Sequence, residues 1–141
     1  MFERYTENAK RAIFFARMEA GDAGSNEIDI EHLLLGLLRG AKGILSWAPR
    51  LTADEVKTRI DKQSLHLPRI ATSVDLPLST SARDALQHAT EEADGLGHKN
   101  IGTEHLFLGI LDVEDCFASK LLREGGVDAQ KMRQELKDST Q

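Results

Sequence analysis

The chain has 141 residues, enough for one domain or two very small ones, with an ordinary soluble balance of 40% hydrophobic and 29% charged residues. A net charge of −5 and only 5% aromatics argue against the basic face and the stacking platforms that nucleic acid would need, and against an anionic membrane as partner. No apolar run approaches the roughly 20 residues of a membrane span, "MFERYTENAKR" is charged from its third residue and reads as no export signal, and Cys116 stands alone. A reducing, cytoplasmic compartment is expected, with Cys116 as a small core residue.

Read along the chain, Thr6 stands where a helix N-cap is wanted, and Ala9, Ala12, Ile13, Ala16 and Ala20 follow at helical spacing up to a terminating Gly24. "EHLLLGLL" (31–38) predicts a second, short and deeply apolar helix. A third short helix is expected at about 43–48, and a fourth from Thr52 or Asp54. The stretch "SLHLPRIATSVDLPLS" (64–79) has two prolines and no sustained period. Leu65, Leu67, Ile70, Val74 and Leu76 make it too apolar for a free tether, so an ordered linker is expected.

The pattern then starts again. Sliding the chain by 73 positions lays residues 6–38 over 79–111, and thirteen of those 33 pairs are identical, among them Glu31 with Glu104 and His32 with His105. Ser79 takes the place of Thr6, Gly97 that of Gly24, and "EHLFLGIL" that of "EHLLLGLL"; further helices are expected at about 115–124 and from near Asp128. The predicted fold is all-α, eight helices forming two pseudo-symmetric four-helix repeats in one compact domain. The expected organisation is repeat one at 1–63, a linker at 64–78 and repeat two at 79–141.

A Glu beside a His invites a catalytic or metal reading, but adjacent helix residues point about 100° apart and cannot converge on one atom. "HLLLG" offers no ligand at i+4, no nucleophile neighbours either histidine, and there is no phosphate-binding glycine loop. No catalytic residue, metal or cofactor is therefore expected. His32 and His105 are expected to be buried, each satisfying a backbone group. Glu31 and Glu104 sit where the helix dipole favours a carboxylate, either as structural groups or as ligand-binding ones. Thr103 is expected to cap the second Glu-His helix; Ile30 has no acceptor, which leaves Asp29 or water to cap the first.

"MFERYTENAKRAIFFARMEA", "IEHLLLGLLRG", "TSVDLPLSTSARDAL" and "NIGTEHLFLGIL" together resemble the amino-terminal double-repeat domain of Clp unfoldases, ClpC type, over essentially the whole chain. The resemblance implies a non-enzymatic receptor for protein substrates and adaptors of an AAA+ unfoldase that feeds the Clp protease ring. The alternative is a free-standing Clp accessory protein that docks on that machinery. It also implies phosphoarginine binding in each repeat, by Thr6 with Glu31 and by Ser79 with Glu104. The chain departs from the family at two places: "GTEH" is kept at Gly102–His105 but reads "DIEH" at Asp29–His32, and Arg83 is followed by Asp84 where the first repeat has Lys10 and Arg11. With its "GTEH" intact, the site of Ser79 and Glu104 is expected to be the tighter.

Overall fold

The computed structural model describes residues 2–139 and contains no strand among them; Met1 and the last two residues of the expected second repeat lie outside the described part. Seven α-helices follow in order: α1 (Glu7–Asp22), α2 (Ile30–Gly40), α3 (Ala53–Gln63), α4 (Thr80–Gly95), α5 (Thr103–Asp112), α6 (Phe117–Glu124) and α7 (Ala129–Asp138). The expected eighth helix is one 3₁₀ turn, Ile44–Trp47, between α2 and α3. Pro49 explains the difference, because a residue before proline is pushed out of the helical region, and Ala48 there has φ −125 and ψ 73. The matching segment of the second copy has no proline, and α6 runs on for eight residues.

The alanine stripes are the packing device. Ala9, Ala12, Ala16 and Ala20 of α1 are buried against α2, and Ala82, Ala85, Ala89 and Ala93 of α4 against α5. The apolar α2 and α5 then pack on each other and join the halves through one continuous core. At each crossing a glycine faces the small stripe. A Cβ on Gly36 would overlap Ala12 O and lie 2.7 Å from Ala16 N; one on Gly109 would overlap Ala85 O and lie 2.9 Å from Ala89 N.

The segment between α3 and α4 is ordered, only in part by the means expected from its composition. Leu76 packs partly buried against the core, but Leu65, Leu67 and Val74 are exposed. Polar ties add to the hold: Leu67 N and Ile70 N donate to Ala23 O and Gly21 O, Arg17 donates to the carbonyls of Ala71 and Val74, and Arg69 meets Asp22 at 3.0 Å. Cys116 also differs from expectation. It is only partly buried and caps α6, its Sγ accepting from Ser119 N and donating to Val113 O.

The last helix is fastened by a charge cluster. Arg133 of α7 donates two 2.8 Å bonds to the Glu92 carboxylate and one of 3.2 Å to Asp112. Burial and the adjoining Glu92 carboxylate push Asp112 up to about 7, while the bonds from Arg133 outweigh burial and hold Glu92 below its ordinary value, so below about pH 7 a proton shared by the pair sits on Asp112. An acid with a raised folded value stabilises below its ordinary range, and that contribution is lost as pH rises through about 7. Asp112→Asn mimics the protonated form at every pH. Its stability should therefore gain on the parent by about 2–3 kcal/mol between pH 5 and pH 8 in urea unfolding, most of it below pH 7; a gap that stays constant would place the proton elsewhere.

Candidate functional site: the helix starts at the repeat junction

Thr6 and Ser79 cap α1 and α4 as expected, their hydroxyls accepting from Ala9 N and Ala82 N at 3.1 Å each. What the sequence did not show is where those caps sit. Thr6 N donates to Ile101 O at 3.0 Å and Ile101 N to Arg4 O at 2.8 Å, so the head of α1 lies alongside the segment entering α5. The mirror-image bonds run from Ser79 N to Ile28 O at 2.9 Å and from Ile28 N to Pro77 O at 2.8 Å, setting the head of α4 alongside the segment entering α2. Each pair forms an isolated parallel bridge, Tyr5 with Ile101 and Ile28 with Leu78.

The helix starts are thus exchanged between repeats. Thr6 faces Gly102 and Glu104: a Cβ built on Gly102 would lie 3.8 Å from Thr6 Cγ2 and 3.9 Å from Glu104 Oε1. Ser79 faces Asp29, to whose Oδ1 its hydroxyl donates at 2.9 Å. This corrects the expected pairing of Thr6 with Glu31 and of Ser79 with Glu104. The sequence order of a repeat specifies which elements exist, but not whether a cap meets its own copy's helix or the other's. The exchange also sorts the departures from the family. The Thr6 junction combines Lys10 and Arg11 on the α1 head with the intact "GTEH", whereas the Ser79 junction combines Asp84 on the α4 head with Asp29.

The two Glu-His helices start one residue earlier than Thr103 as a cap would require. Gly102 is the N-cap of α5 and Thr103 its first helical residue, with Thr103 Oγ1 donating to Glu104 Oε1 at 3.2 Å. The histidines take the capping role: Nδ1 of His105 accepts from Gly102 N at 2.8 Å, and Nδ1 of His32 from Asp29 N at 2.9 Å. Asp29 is the N-cap of α2, its Oδ1 accepting from Ile30 N at 2.8 Å. Thr103→Ala should therefore change stability by no more than about 0.5 kcal/mol, the level of a surface substitution; a loss near the 1 kcal/mol typical of a deleted cap would restore the threonine to that role.

The histidines differ in depth. His105 is 2% exposed and packs on His98, 7% exposed, with His105 Nε2 and His98 Nδ1 2.9 Å apart. Since His105 Nδ1 accepts from the backbone, its proton sits on Nε2 and is donated to His98. Burial, then His98, hold His105 below its ordinary value and so neutral. His32 is half-buried, not buried as expected. The position matching His98 is Ser25, which turns to Glu27 O, and His32 instead borders a cleft of about 440 Å³ with Asp29, Glu31, Ile60, Gln63 and Leu65.

Electrostatically the junctions are unlike. Glu104 and Thr6 are both partly open at theirs. At the other, Ser79 is 6% exposed, and Asp29 Oδ1 accepts from Ser79 Oγ, Ser81 Oγ and Ile30 N within 2.9 Å. Although burial opposes it, these donors hold the Asp29 carboxyl below the usual carboxylate range, while burial and then the Asp29 charge raise Glu31. Among the described residues no three metal-ligating side chains cluster, and no helix is long and apolar enough to cross a membrane.

The profile of the Clp repeat (R) N-terminal domain matches residues 4–82 and, a second time, 77–141. The chain belongs to this family. Relatives include the Bacillus subtilis (strain 168) negative regulator of genetic competence ClpC/MecB, 34% identical over 137 residues, and a probable ATP-dependent Clp protease ATP-binding subunit of Chlamydia pneumoniae, 33% identical over 139 residues. Each alignment takes 96% of this chain but only 17% and 16% of the relative, so the chain spans about a sixth of their length. Among solved structures, the N-terminal domain of the ClpD chaperone from Arabidopsis thaliana superposes with a TM-score of 0.74 at 25% identity, over 95% of this chain and 92% of that one. The N-domain of ClpV from Vibrio cholerae gives 0.76 at 20% identity, over 96% and 84%. The Clp repeat domain therefore shares its all-helical double-repeat fold with N-terminal regions of Clp ATPases.

Proposed function

We propose that this domain receives substrates and adaptors for a ClpC-like AAA+ unfoldase of the cytoplasm that delivers proteins to the Clp protease, and that it reads phosphoarginine marks at the Thr6–Glu104 junction. The carrying observation is the exchange of helix starts, which brings a hydroxyl-capped helix head from one repeat to the partly open carboxylate of the other. A phosphoryl group suits the free N–H groups and hydroxyl at the head of α1, with Lys10 and Arg11 on the same turn. The guanidinium that carries it suits the planar carboxylate of Glu104, which can accept two parallel bonds. Neither half needs a catalytic group, and the domain is assigned none. That the ClpV N-domain was solved in complex with a VipB peptide supports a protein-binding role for this fold.

Fluorescence anisotropy with a labelled peptide carrying phosphoarginine, against the same peptide with plain arginine, tests this. The marked peptide should bind at least tenfold more tightly, and Glu104→Ala should remove that preference. Equal binding of both peptides, untouched by Glu104→Ala, would leave a protein that docks on the Clp machinery without reading the mark.

A further inference from the structure

We propose that the Asp29 carboxylate is a built-in occupant of the α4 helix start, closing the Ser79–Glu31 junction to outside phosphoryl groups and leaving the domain with one working site. The inference rests on the phosphoarginine reading for its ligand, but its evidence is the geometry of Asp29. One carboxylate oxygen accepts from Ser79 Oγ, Ser81 Oγ and Ile30 N. The two hydroxyls that a phosphoryl group would meet at the head of α4 are thereby engaged, and the single proton of Ser79 is already committed.

The second half of the junction is perturbed as well: Glu31, the group that would pair with a guanidinium, is half-buried, and burial, then the Asp29 charge, raise it above its ordinary value. Depth completes the closure, since Ser79 is buried whereas Thr6 is partly open. At the other junction the matching residue is Gly102, which has no side chain to place there, and a Cβ added to it would meet no atom nearer than 3.8 Å.

Calorimetric titration of free phosphoarginine into the parent chain, Asp29→Gly, Asp29→Asn, Glu104→Ala and the Asp29→Gly/Glu104→Ala double variant tests the closure. Asp29→Gly copies the start of α5, and Asp29→Asn keeps the shape without the charge in case glycine loosens α2. The expected stoichiometry is one for the parent, none for Glu104→Ala, two for Asp29→Gly and one for the double variant, with Asp29→Asn gaining a second, weaker site. Two sites in the parent, or no additional site in either Asp29 variant while the parent binds one, overturns the proposal. Carboxyl-carbon NMR of Asp29 reads the occupancy without any ligand. A titration below the ordinary carboxylate range, moved upward by Ser81→Ala, is expected; one within or above that range overturns the proposal. No heat from any chain would remove the phosphoarginine reading, and the Asp29 titration would then decide the occupancy alone.

Discussion

Gly109→Ala should cost more than 3 kcal/mol, and Gly109→Val should leave no folded protein. The added Cβ has nowhere to go, because the nearest atoms are the Ala85 carbonyl oxygen and the Ala89 amide nitrogen, both backbone of α4. A flexible side chain could swing aside, but a helix backbone can yield only by moving as a body, which would open the alanine-lined interface along its length. Overpacking a close-packed core typically costs about 1–3 kcal/mol, and a direct backbone collision belongs at or above the top of that range. Against a total stability of about 5–15 kcal/mol, that is a large fraction. Gly36→Ala should behave alike, since its Cβ would strike Ala12 O and Ala16 N. Gly95→Ala is the control: nothing lies within 4 Å of its Cβ and φ is not positive, so alanine should stabilise by about 0.5 kcal/mol. Urea unfolding of the three variants checks the contrast, and a mild loss at Gly109 would show that α4 and α5 can separate cheaply.

His105→Ala should cost about 3 kcal/mol, and His32→Ala about 1 kcal/mol. Removing the His105 ring strands two groups, Gly102 N–H and the buried His98 Nδ1, and each buried unsatisfied group costs about 1–3 kcal/mol. The ring also leaves a void in a site only 2% exposed. His32 bonds Asp29 N at the edge of an open cleft, where water can replace it. Equal losses would mean that the second ring contributes nothing. An acid dependence follows too. Burial holds both His32 and His105 below their ordinary values. A base with a lowered folded value contributes stability above its ordinary range, near 6.5, and loses it as pH falls below that. Asp112 has the opposite slope in the same window, so the effect is best read in an Asp112→Asn background. There His105→Gln should flatten the decline between pH 7 and pH 5; an unchanged slope would show that His105 does not titrate in that window.

Much of this was written in local spacing. The alanine stripes, the caps at Thr6 and Ser79, the helix starts near Thr52 and near Asp128, and the duplication itself are legible in the spacing of residues, and the structure places them as read. The loss of the eighth helix to Pro49 is local and legible in "WAP". The order of residues 64–79 is legible from its apolar content, but its polar ties are not, because they depend on Arg17, which lies more than 50 positions away. Capping by histidine through Nδ1 is half legible: the sequence places a histidine three positions into each helix and within reach of a backbone group, but by residue type Thr103 is the stronger cap. The pairing of helix starts was the least legible, since two similar repeats offer two symmetric solutions and only the tertiary fold chooses between them.

The exchange of helix starts has a consequence for how such a chain can arise. Because each half hands its α1-type head to the other's α2-type segment, one repeat alone leaves a row of backbone donors and acceptors unmet. Within protein it would satisfy them by meeting a twin across a twofold axis, as an isologous homodimer in which both junctions are forced to be the same. Joining the twins in one polypeptide lifts that constraint, because a mutation now lands at one junction and not at both. Asp29 and Gly102 occupy corresponding positions and have taken opposite courses, which a symmetric dimer of a single gene product cannot do.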